Sequence, residues 1–262
     1  MIDRVKISSH LHREEDELLA GYIFDKIEMV IKKKSQETTN FMNPHECEIA
    51  SGLIRQVSEV NYKIDGGYEG AERSRIIIFP EYLFPDHVKT PISLLKVSGN
   101  FKFQGVTHRD YLGALMGLGV KREMIGDIVI MDDFAQIFLA DEIKDFVLLN
   151  LKNVHEVSVE VKELAIDDFI FPLQRFKEIM TTVASMRLDA IASAGFSDSR
   201  NRISREIKNQ KVKLNHRLES DPSVNVEIGD LISIQGRGRV KVAEKIGVSQ
   251  RGRIKLLLQR YL

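Results

Sequence analysis

Apolar residues near the start of the chain recur three and four positions apart, a spacing that predicts one face of a helix. The residues in this pattern are Leu18, Leu19, Tyr22, Ile23, Ile27, Val30 and Ile31. Further on, Asn43 before Pro44 is a good N-cap and first-turn pair for a second helix through Val57. Residues 1–60 are therefore predicted to be mainly helical.

A glycine-rich segment lies between two short strand-like stretches in residues 61–82. No Gly-Lys-Ser or Gly-Lys-Thr follows the glycines of residues 66–70, and no helical pattern opens behind them, so they do not form a phosphate-binding loop. The segment predicts a turn between two strands. Arg73 and Arg75, just beyond it, are candidate phosphate contacts.

Residues 92–165 alternate between strand and helix patterns in a definite order. The strand-like stretches are 92–97, 128–131, 136–139 and 157–161, and the helical patterns lie around 111–116 and at 141–151. This β-α-β-β-α-β order is typical of a ferredoxin-like plait, a topology that the RNA recognition motif shares. That motif reads bases with exposed aromatic residues on its central strands, and Phe138 is the main candidate here. Because the strands are otherwise mostly aliphatic, the fold alone does not assign base recognition to this segment.

The C-terminal third begins with two short helical patterns. Their inward-facing positions are Leu188, Ile191 and Ala192 in the first helix and Ile203 and Ile207 in the second. Ser197 or Asp198 is the expected N-cap of the second helix. Residues 211–215 then alternate strictly between polar and apolar, as do residues 224–228, which predicts two strands. The tail is predicted to form a hairpin with residues 240–242.

These patterns predict an α+β protein of three domains. Residues 1–80 would form an N-terminal, mainly helical domain with terminal strands, and residues 81–172 the ferredoxin-like, RRM-like plait. Residues 173–262 would form a small C-terminal domain of two helices and antiparallel strands. A hydrophobic content of 43% is sufficient for folded cores in each of them.

Charge is distributed unevenly, although the formal total is zero. Residues 173–262 hold 18 Lys and Arg against 9 Asp and Glu, whereas the rest of the chain holds 20 against 29. Uneven charge alone is common. A basic C-terminal third on an acidic body nevertheless favours a protein that binds a polyanion at one end.

The basic residues of the C-terminal third are predicted to form an RNA-binding surface. A phosphate beside Ser199 and Arg200 would also meet the free N–H groups and the favourable dipole of a helix start. The outer face of the second helix and the outer face of the strand at 211–215 are expected to present positive charge on the same side, and a flexible glycine loop adds two arginines. The predicted RNA-binding residues are Arg187, Ser199, Arg200, Arg205, Lys208, Lys211, Lys213, Asn215, Arg237 and Arg239.

Several other classes of protein find no support in the sequence. No apolar run approaches the ~18–20 residues of a membrane span, and the N-terminus lacks the apolar core of a secretory signal. A single cysteine, Cys47, fits a reducing cytoplasm. His45 and Cys47 begin a metal-ligand pattern that no second pair completes, and no Gly-x-Gly-x-x-Gly follows a strand. We therefore expect a cytoplasmic, non-catalytic protein without a metal or cofactor.

The C-terminal domain resembles the S-four (S4) RNA-binding domain, named after ribosomal small-subunit protein four. The matching positions are Arg187-Leu188-Asp189, Ser199-Arg200, Ile207, Val212, Asn215 and Gly229-Asp230. Gln210 and His216 stand where that family usually has glycine, which leaves the geometry of two strand turns open. His216 is an alternative RNA contact.

Along nearly its full length the chain resembles the YlmH family, also known as photosystem II S-four domain proteins. The motifs that carry this resemblance are residues 66–73, 113–119, 121–122, 126–128 and 236–239. The resemblance implies a bacterial protein that binds ribosomal RNA, associates with stalled large ribosomal subunits carrying peptidyl-tRNA, and supports ribosome-associated quality control. Direct tRNA contact is a further expectation.

Two other hypotheses stay open on the sequence. One is an RNA-modifying enzyme with an unrecognised active site in the N-terminal 165 residues. The other hypothesis makes the acidic N-terminal half a docking adaptor for a protein partner, with the RNA-binding module directing it to its location. The adaptor hypothesis is compatible with ribosome docking, whereas the enzyme hypothesis requires a chemical change in RNA.

Overall fold

The computed structural model describes Arg4 and residues 13–101, 105–172 and 176–261. The chain divides into two compact units, residues 1–172 and residues 173–262. The first unit contains α1 (Glu14–Lys33), α2 (Pro44–Ile54), α3 (His108–Gly117), α4 (Lys144–Asn150), β1 (Glu37–Thr38), β2 (Val60–Asp65), β3 (Arg75–Pro80), β4 (Ile92–Gly99), β5 (Ile125–Ile130), β6 (Phe134–Ala140), β7 (Asn153–Val154) and β8 (Val157–Leu164). The second contains α5 (Leu188–Phe196), α6 (Arg200–Lys208), β9 (Phe176–Val183), β10 (Val212–Leu214), β11 (Arg217–Leu218), β12 (Leu231–Ile234), β13 (Gly238–Val248) and β14 (Ile254–Tyr261). No helix within the described ranges is long and apolar enough to cross a membrane.

In the first part of the first unit, α1 and α2 pack against a small sheet of strand order β1-β3-β2. The predicted start of α2 is confirmed: Asn43 Oδ1 accepts from the Glu46 backbone N–H at 3.0 Å, and the Asn43 N–H donates to Glu46 at 2.6 Å. Helix is confirmed for α1 and α2. The two-residue strand β1 lies between them and pairs with the buried strand β3. Apart from Arg4, the twelve N-terminal residues lie outside the described ranges.

A second sheet, of strand order β5-β6-β4-β8-β7, occupies the rest of the first unit. Its neighbouring strands are antiparallel. Helices α3 and α4 cover one face, where Tyr111, Leu115 and Val147 belong to the same buried cluster as Leu95 and Ile137. The predicted order of strands and helices is present, with the two-residue β7 added before β8.

The opposite face of this sheet is covered by other residues of the same unit. The ring centroid of Tyr68 lies 5.0 Å from that of Phe138 and 4.4 Å from that of Phe169, and Tyr68 donates to Asp127 at 2.8 Å. Phe138 is fully buried, so the suggestion that its ring could read bases is wrong. The glycine-rich turn is what brings Tyr68 there, because Gly67 has φ +93° and a Cβ on it would lie 2.5 Å from the Phe138 ring.

Arg73 and Arg75 make hydrogen bonds within the first unit and are not phosphate contacts. The Arg75 side chain is 3% exposed and pairs with Glu142 at 2.9 Å, while it also donates to the carbonyl oxygens of Thr39 at 2.7 Å and Pro91 at 2.6 Å. Arg73 donates to two further backbone carbonyls, at 3.0 and 2.6 Å. Their guanidinium groups satisfy buried carbonyls, which corrects the expectation that they face a nucleic acid.

The second unit is built on a six-stranded antiparallel sheet of order β11-β10-β12-β13-β14-β9. Helices α5 and α6 cover one face, where their apolar residues Leu188, Ile191, Ala192, Ile203 and Ile207 join the core. The predicted hairpin of the tail is confirmed as β13 and β14. No pattern predicted β9, which pairs along the whole of β14 and extends the sheet beyond the two-helix module.

The strand predicted over residues 224–228 is wrong. Within this segment Asn225 makes only an isolated bridge with Arg187. Val226 is buried, but Ile228 is exposed, so the apolar alternation is not matched by burial on one face. The backbone instead turns at Gly229, where φ is +99°.

Candidate RNA interface

Two arginines share one buried carboxylate where α5 begins. Asp189, in the first turn of α5, has a side chain only 6% exposed. Its Oδ1 lies 2.9 Å from Arg200 Nη2, and its Oδ2 lies 3.2 Å from Arg187 Nη2. Arg200 is the first residue of α6, so Asp189 also ties the starts of the two helices together.

The charge of Asp189 is stabilised by this arrangement. Burial would raise the pKa of its carboxyl group, but hydrogen bonds and ion pairs with Arg200 and Arg187 outweigh burial, so its pKa is lowered. The ionised carboxylate fixes one edge of each guanidinium group. Both arginine side chains remain substantially exposed. Because a guanidinium carries five donors in a planar fork, each arginine keeps donors for a phosphate.

Ser199 is the N-cap of α6, two residues after Ser197 and one after Asp198, the two residues expected there. Its Oγ accepts from the Arg202 backbone N–H at 3.3 Å. Ser197 instead follows α5 in a left-handed conformation with φ 54°, and Asp198 Oδ1 accepts from the Ser199 N–H at 2.7 Å. The remaining free N–H groups at this helix start lie beside Arg200, and such a combination favours an anion. An RNA-binding role for Ser199 and Arg200 stays a prediction.

Arg237 is engaged within the protein. Its Nη1 lies 2.9 Å from Asp198 and 3.2 Å from Glu206, with the side chain 23% exposed. The guanidinium carbon also lies 5.6 Å from the centre of the Phe196 ring. These contacts restrain the glycine-rich loop that was expected to be flexible. An RNA-binding role for Arg237 stays a prediction.

The predicted positive residues of helix and strand do not point in the same direction. Arg205 and Lys208 lie exposed on α6, whose opposite face packs Ile203 into the core. Val212 on β10 is buried in that same core. Because side chains alternate along a strand, Lys213 points away from the helices. The expectation that both elements present their charge on one side is therefore wrong, although each element carries the charge that was predicted.

Asn215 closes the turn that follows β10. It donates to Asp230 at 2.7 Å and accepts from the Leu231 backbone N–H at 2.9 Å. Gln210 and His216 adopt left-handed backbone conformations, with φ 54° and 68°. The turns thus keep a geometry suited to the glycines that the S4 family usually has there, while these side chains bear the steric penalty.

The metal-ligand pattern at His45 and Cys47 has no counterpart in space within the described residues, where no three His, Cys, Asp or Glu side chains gather around one point. Cys47 is buried, and burial raises the pKa of its thiol to about 11. Such a thiol packs as a small apolar group and carries no thiolate at neutral pH.

Known proteins resemble this chain along most of its length. Three family models match successive segments: "YlmH, N-terminal" over residues 17–83, "Putative RNA-binding domain in YlmH" over residues 85–168, and "S4 domain" over residues 186–232. Ribosome-associated protein quality control protein P2 of Bacillus subtilis (strain 168) is 34% identical over 216 residues, which cover 82% of this chain and 84% of that relative. The chain belongs to the YlmH family.

Membership of the YlmH family confirms the resemblance inferred from the sequence motifs. A solved structure, cell division protein ylmH from Streptococcus pneumoniae, is similar in fold with a TM-score of 0.53 and 24% identity, covering 62% of this chain and 98% of that one. With the YlmH models and the S4 domain matched, the protein is an RNA-binding member of this family. The helix-start arginines lie within the segment that matches the S4 domain.

Proposed function

We propose that this protein docks on ribosomal RNA of the large subunit, with peptidyl-tRNA in reach, and acts in ribosome-associated quality control. The relative from Bacillus subtilis carries that process in its name. The observation that carries the proposal is the pair of exposed arginines anchored on Asp189 at the starts of α5 and α6. Pre-oriented arginines at a helix N-terminus suit the phosphates of structured RNA.

The other predicted contacts lie on two sides of the module. Arg205 and Lys208 on α6 would follow the phosphate backbone of the same RNA, since phosphate contacts position a protein without reading sequence. Lys211, Lys213, Asn215 and Arg239 would contact RNA from the strand side. Direct tRNA contact is part of the proposal and has no separate residue assigned to it.

We assign two domains to the first unit: residues 1–80, and a ferredoxin-like plait at residues 81–172. The second unit, residues 173–262, is the RNA-binding domain. The strand order β5-β6-β4-β8 and the antiparallel pairing support the plait. Residues 85–168 hold 9 Lys and Arg against 14 Asp and Glu. The family model that matches these residues is described as a putative RNA-binding domain. Because phosphate contacts dominate RNA affinity, however, the acidic balance favours a protein contact for this domain.

We propose a non-catalytic role, and the RNA-modifying enzyme is the alternative. In the described residues of the first unit, the conspicuous pKa shifts are explained by burial and by structural contacts: burial raises the pKa of Tyr111 to about 12, and burial together with Asp127 raises the pKa of Tyr68. A catalytic site would instead need such groups in a cleft with room for substrate. A reproducible base change in RNA that requires this protein would favour the enzyme.

The first test is co-sedimentation of the full chain with large ribosomal subunits across a salt series. Arg200→Glu should weaken binding and lower the slope of log affinity against log salt by about one unit. Arg55→Glu makes the same charge change on the exposed surface of the first unit and should leave binding near wild type. Equal binding of wild type and Arg200→Glu at every salt concentration would refute the proposal.

The second test locates the RNA in cells. Crosslinking followed by sequencing of the crosslinked sites should give sharp peaks on large-subunit ribosomal RNA with tRNA beside them. Peaks confined to a messenger or to one tRNA would contradict ribosome docking, and those sites would then be searched for altered bases.

A further inference from the structure

The face of the C-terminal sheet that carries no helix presents aromatic and basic side chains in neighbouring positions. Lys213 on β10 opposes Ser233 on β12, which opposes Arg239 on β13. At the far edge of the sheet, Tyr261 on β14 opposes Phe176 on β9. We call this surface the open sheet face.

The direction of these side chains follows from the residues between them. Val240 on β13 and Leu258 on β14 are fully buried in the core beneath the helices. Arg260 also points to that side, since its guanidinium carbon lies 5.5 Å from the centre of the Phe196 ring at the end of α5. Alternation along β14 therefore turns Tyr261 to the open side.

This face combines exposed apolar surface with unneutralised positive charge. Phe176 is 38% exposed and Met180 79% exposed. Within the described residues, Lys213, Lys241 and Lys255 make no ion pair. The acidic residues that alternation places on the same side are Glu178 and Glu244, so the three lysines outnumber them.

We infer that the open sheet face binds a single-stranded segment of RNA, as a second RNA surface separate from the helix-start site. Tyr261 and Phe176 offer flat rings on which bases stack, and Lys241 on the neighbouring strand supplies a cation for the phosphates beside those bases. Lys213, three strands from Tyr261, meets phosphates farther along the same segment. RNA is the occupant that fits, because a protein partner with apolar chemistry would leave the lysines uncompensated. Stacking is tolerant of sequence, so this surface has little base preference.

The position of this surface in the chain sets it apart from the S4 domain. The S4 match ends at residue 232, before β13 and β14, and β9 precedes the match. Of the four residues proposed to contact RNA on the open sheet face, only Lys213 lies within the S4 match. The other three are Tyr261, Phe176 and Lys241. The three outer strands thus add to the RNA-binding module a surface on the side of the sheet opposite its helices.

Binding of a short oligouridine to the full chain, followed by fluorescence anisotropy, tests the stacking. Tyr261→Ala should lower affinity about tenfold, because stacking on one aromatic ring is worth about that much per base, whereas Tyr261→Phe should bind like wild type. Equal thermal midpoints of the two variants would exclude unfolding as the cause. If both variants bind as tightly as wild type, Tyr261 does not stack on RNA and the inference fails.

A matched pair of lysines tests the side of the sheet. Lys241 lies on the open sheet face, whereas Lys177 pairs with Arg260 and lies on the helix side of the sheet. Lys241→Ala should flatten the salt dependence of oligouridine binding by about 0.7 of a unit, and Lys177→Ala should leave it unchanged. Equal slopes for these two variants would overturn the assignment of the open face.

Ultraviolet crosslinking with mass spectrometry then separates this inference from ribosome docking. Nucleotide adducts on Tyr261 or Phe176 are expected for the oligouridine. Arg200→Glu should retain those adducts while its binding to the large subunit weakens. Adducts confined to α5 and α6 would refute the open sheet face and leave the proposed docking intact.

Discussion

Replacement of Asp189 by Asn separates two explanations of how the helix-start arginines bind RNA. Removal of a negative charge beside the site should strengthen binding if only net charge matters. If the carboxylate instead holds Arg187 and Arg200 in place for phosphate, the same change should weaken binding. The two explanations therefore predict opposite signs from one substitution that conserves side-chain volume.

The structure allows the two effects to be compared. A charge about 8 Å from a phosphate in water contributes only about 0.5 kcal/mol, and salt screens part of that. An arginine side chain carries about 2 kcal/mol of rotamer entropy, much of which the carboxylate has already removed from Arg200. We therefore expect positioning to dominate, with RNA affinity of Asp189→Asn about threefold to tenfold lower, since 1.4 kcal/mol is about tenfold.

Folding stability should change as well. Asp189 is buried and makes charge-assisted hydrogen bonds to both arginines, so its neutral amide analogue should lower the free energy of unfolding by about 1–2 kcal/mol. The lowered pKa means that this contribution is fully present above the pKa of an unfolded aspartate, about 3.9. It is lost as pH falls through the still lower folded pKa, so wild type and variant should converge in acid.

Anisotropy with a large-subunit ribosomal RNA fragment, at two salt concentrations, is the assay. Asp221→Asn is the matched control, because Asp221 is exposed and its carboxylate accepts hydrogen bonds from the backbone N–H and the hydroxyl of Ser223. The control removes the same charge in the same region and should bind slightly more tightly than wild type. If Asp189→Asn also binds more tightly, the positioning role is refuted and only net charge matters.

Two further predictions concern backbone conformation and use denaturant unfolding. Gly67→Ala should destabilise the first unit by more than about 2 kcal/mol, because a Cβ there meets the Phe138 ring at 2.5 Å; Gly70→Ala, with φ +83° but open space around it, should cost about 1 kcal/mol, and equal effects would contradict the packing explanation. Gln210→Gly should stabilise the second unit by about 0.5–1 kcal/mol, because it relieves a left-handed φ of 54°. Asn209→Gly, at an ordinary φ of −87°, should instead destabilise it.

The helices and most strands could be predicted because their patterns are local. The apolar periodicity that defines α1 and the alternation that defines β10 depend on residues within one element. The cap at α2 was equally local, since Asn43 and Glu46 lie three residues apart. By contrast β9 is recognised by its pairing with β14, more than seventy residues along the chain, and its inward residues include Thr181, which does not read as apolar.

The residues of the candidate site could be predicted from the sequence, but the directions in which their side chains point could not. The sequence pattern places Arg205 and Lys208 on the outer face of α6 and Lys213 on the outer face of β10. Whether two outer faces coincide depends on how a helix packs on a sheet, and Val212 in the core beneath α6 shows that they do not. Asp189, which pairs with Arg187 and Arg200, is not among the residues predicted for the site. The signal that could have identified it is an acidic residue in a first helical turn, two residues after an arginine.

The uneven charge of the chain gives a physical reason for the division of labour proposed for its two units. Near RNA, the excess of 29 acidic over 20 basic residues outside residues 173–262 is repelled by phosphate, while the balance of 18 basic to 9 acidic within them is attracted. Nonspecific attraction to phosphate therefore acts on the module that holds Arg187 and Arg200. Repulsion of the acidic first unit keeps that unit away from the polyanion. The first unit then remains available for a protein partner while the RNA-binding module is docked. A pull-down with residues 1–165 should recover such a partner, and a clean negative result would leave the first unit without the adaptor role.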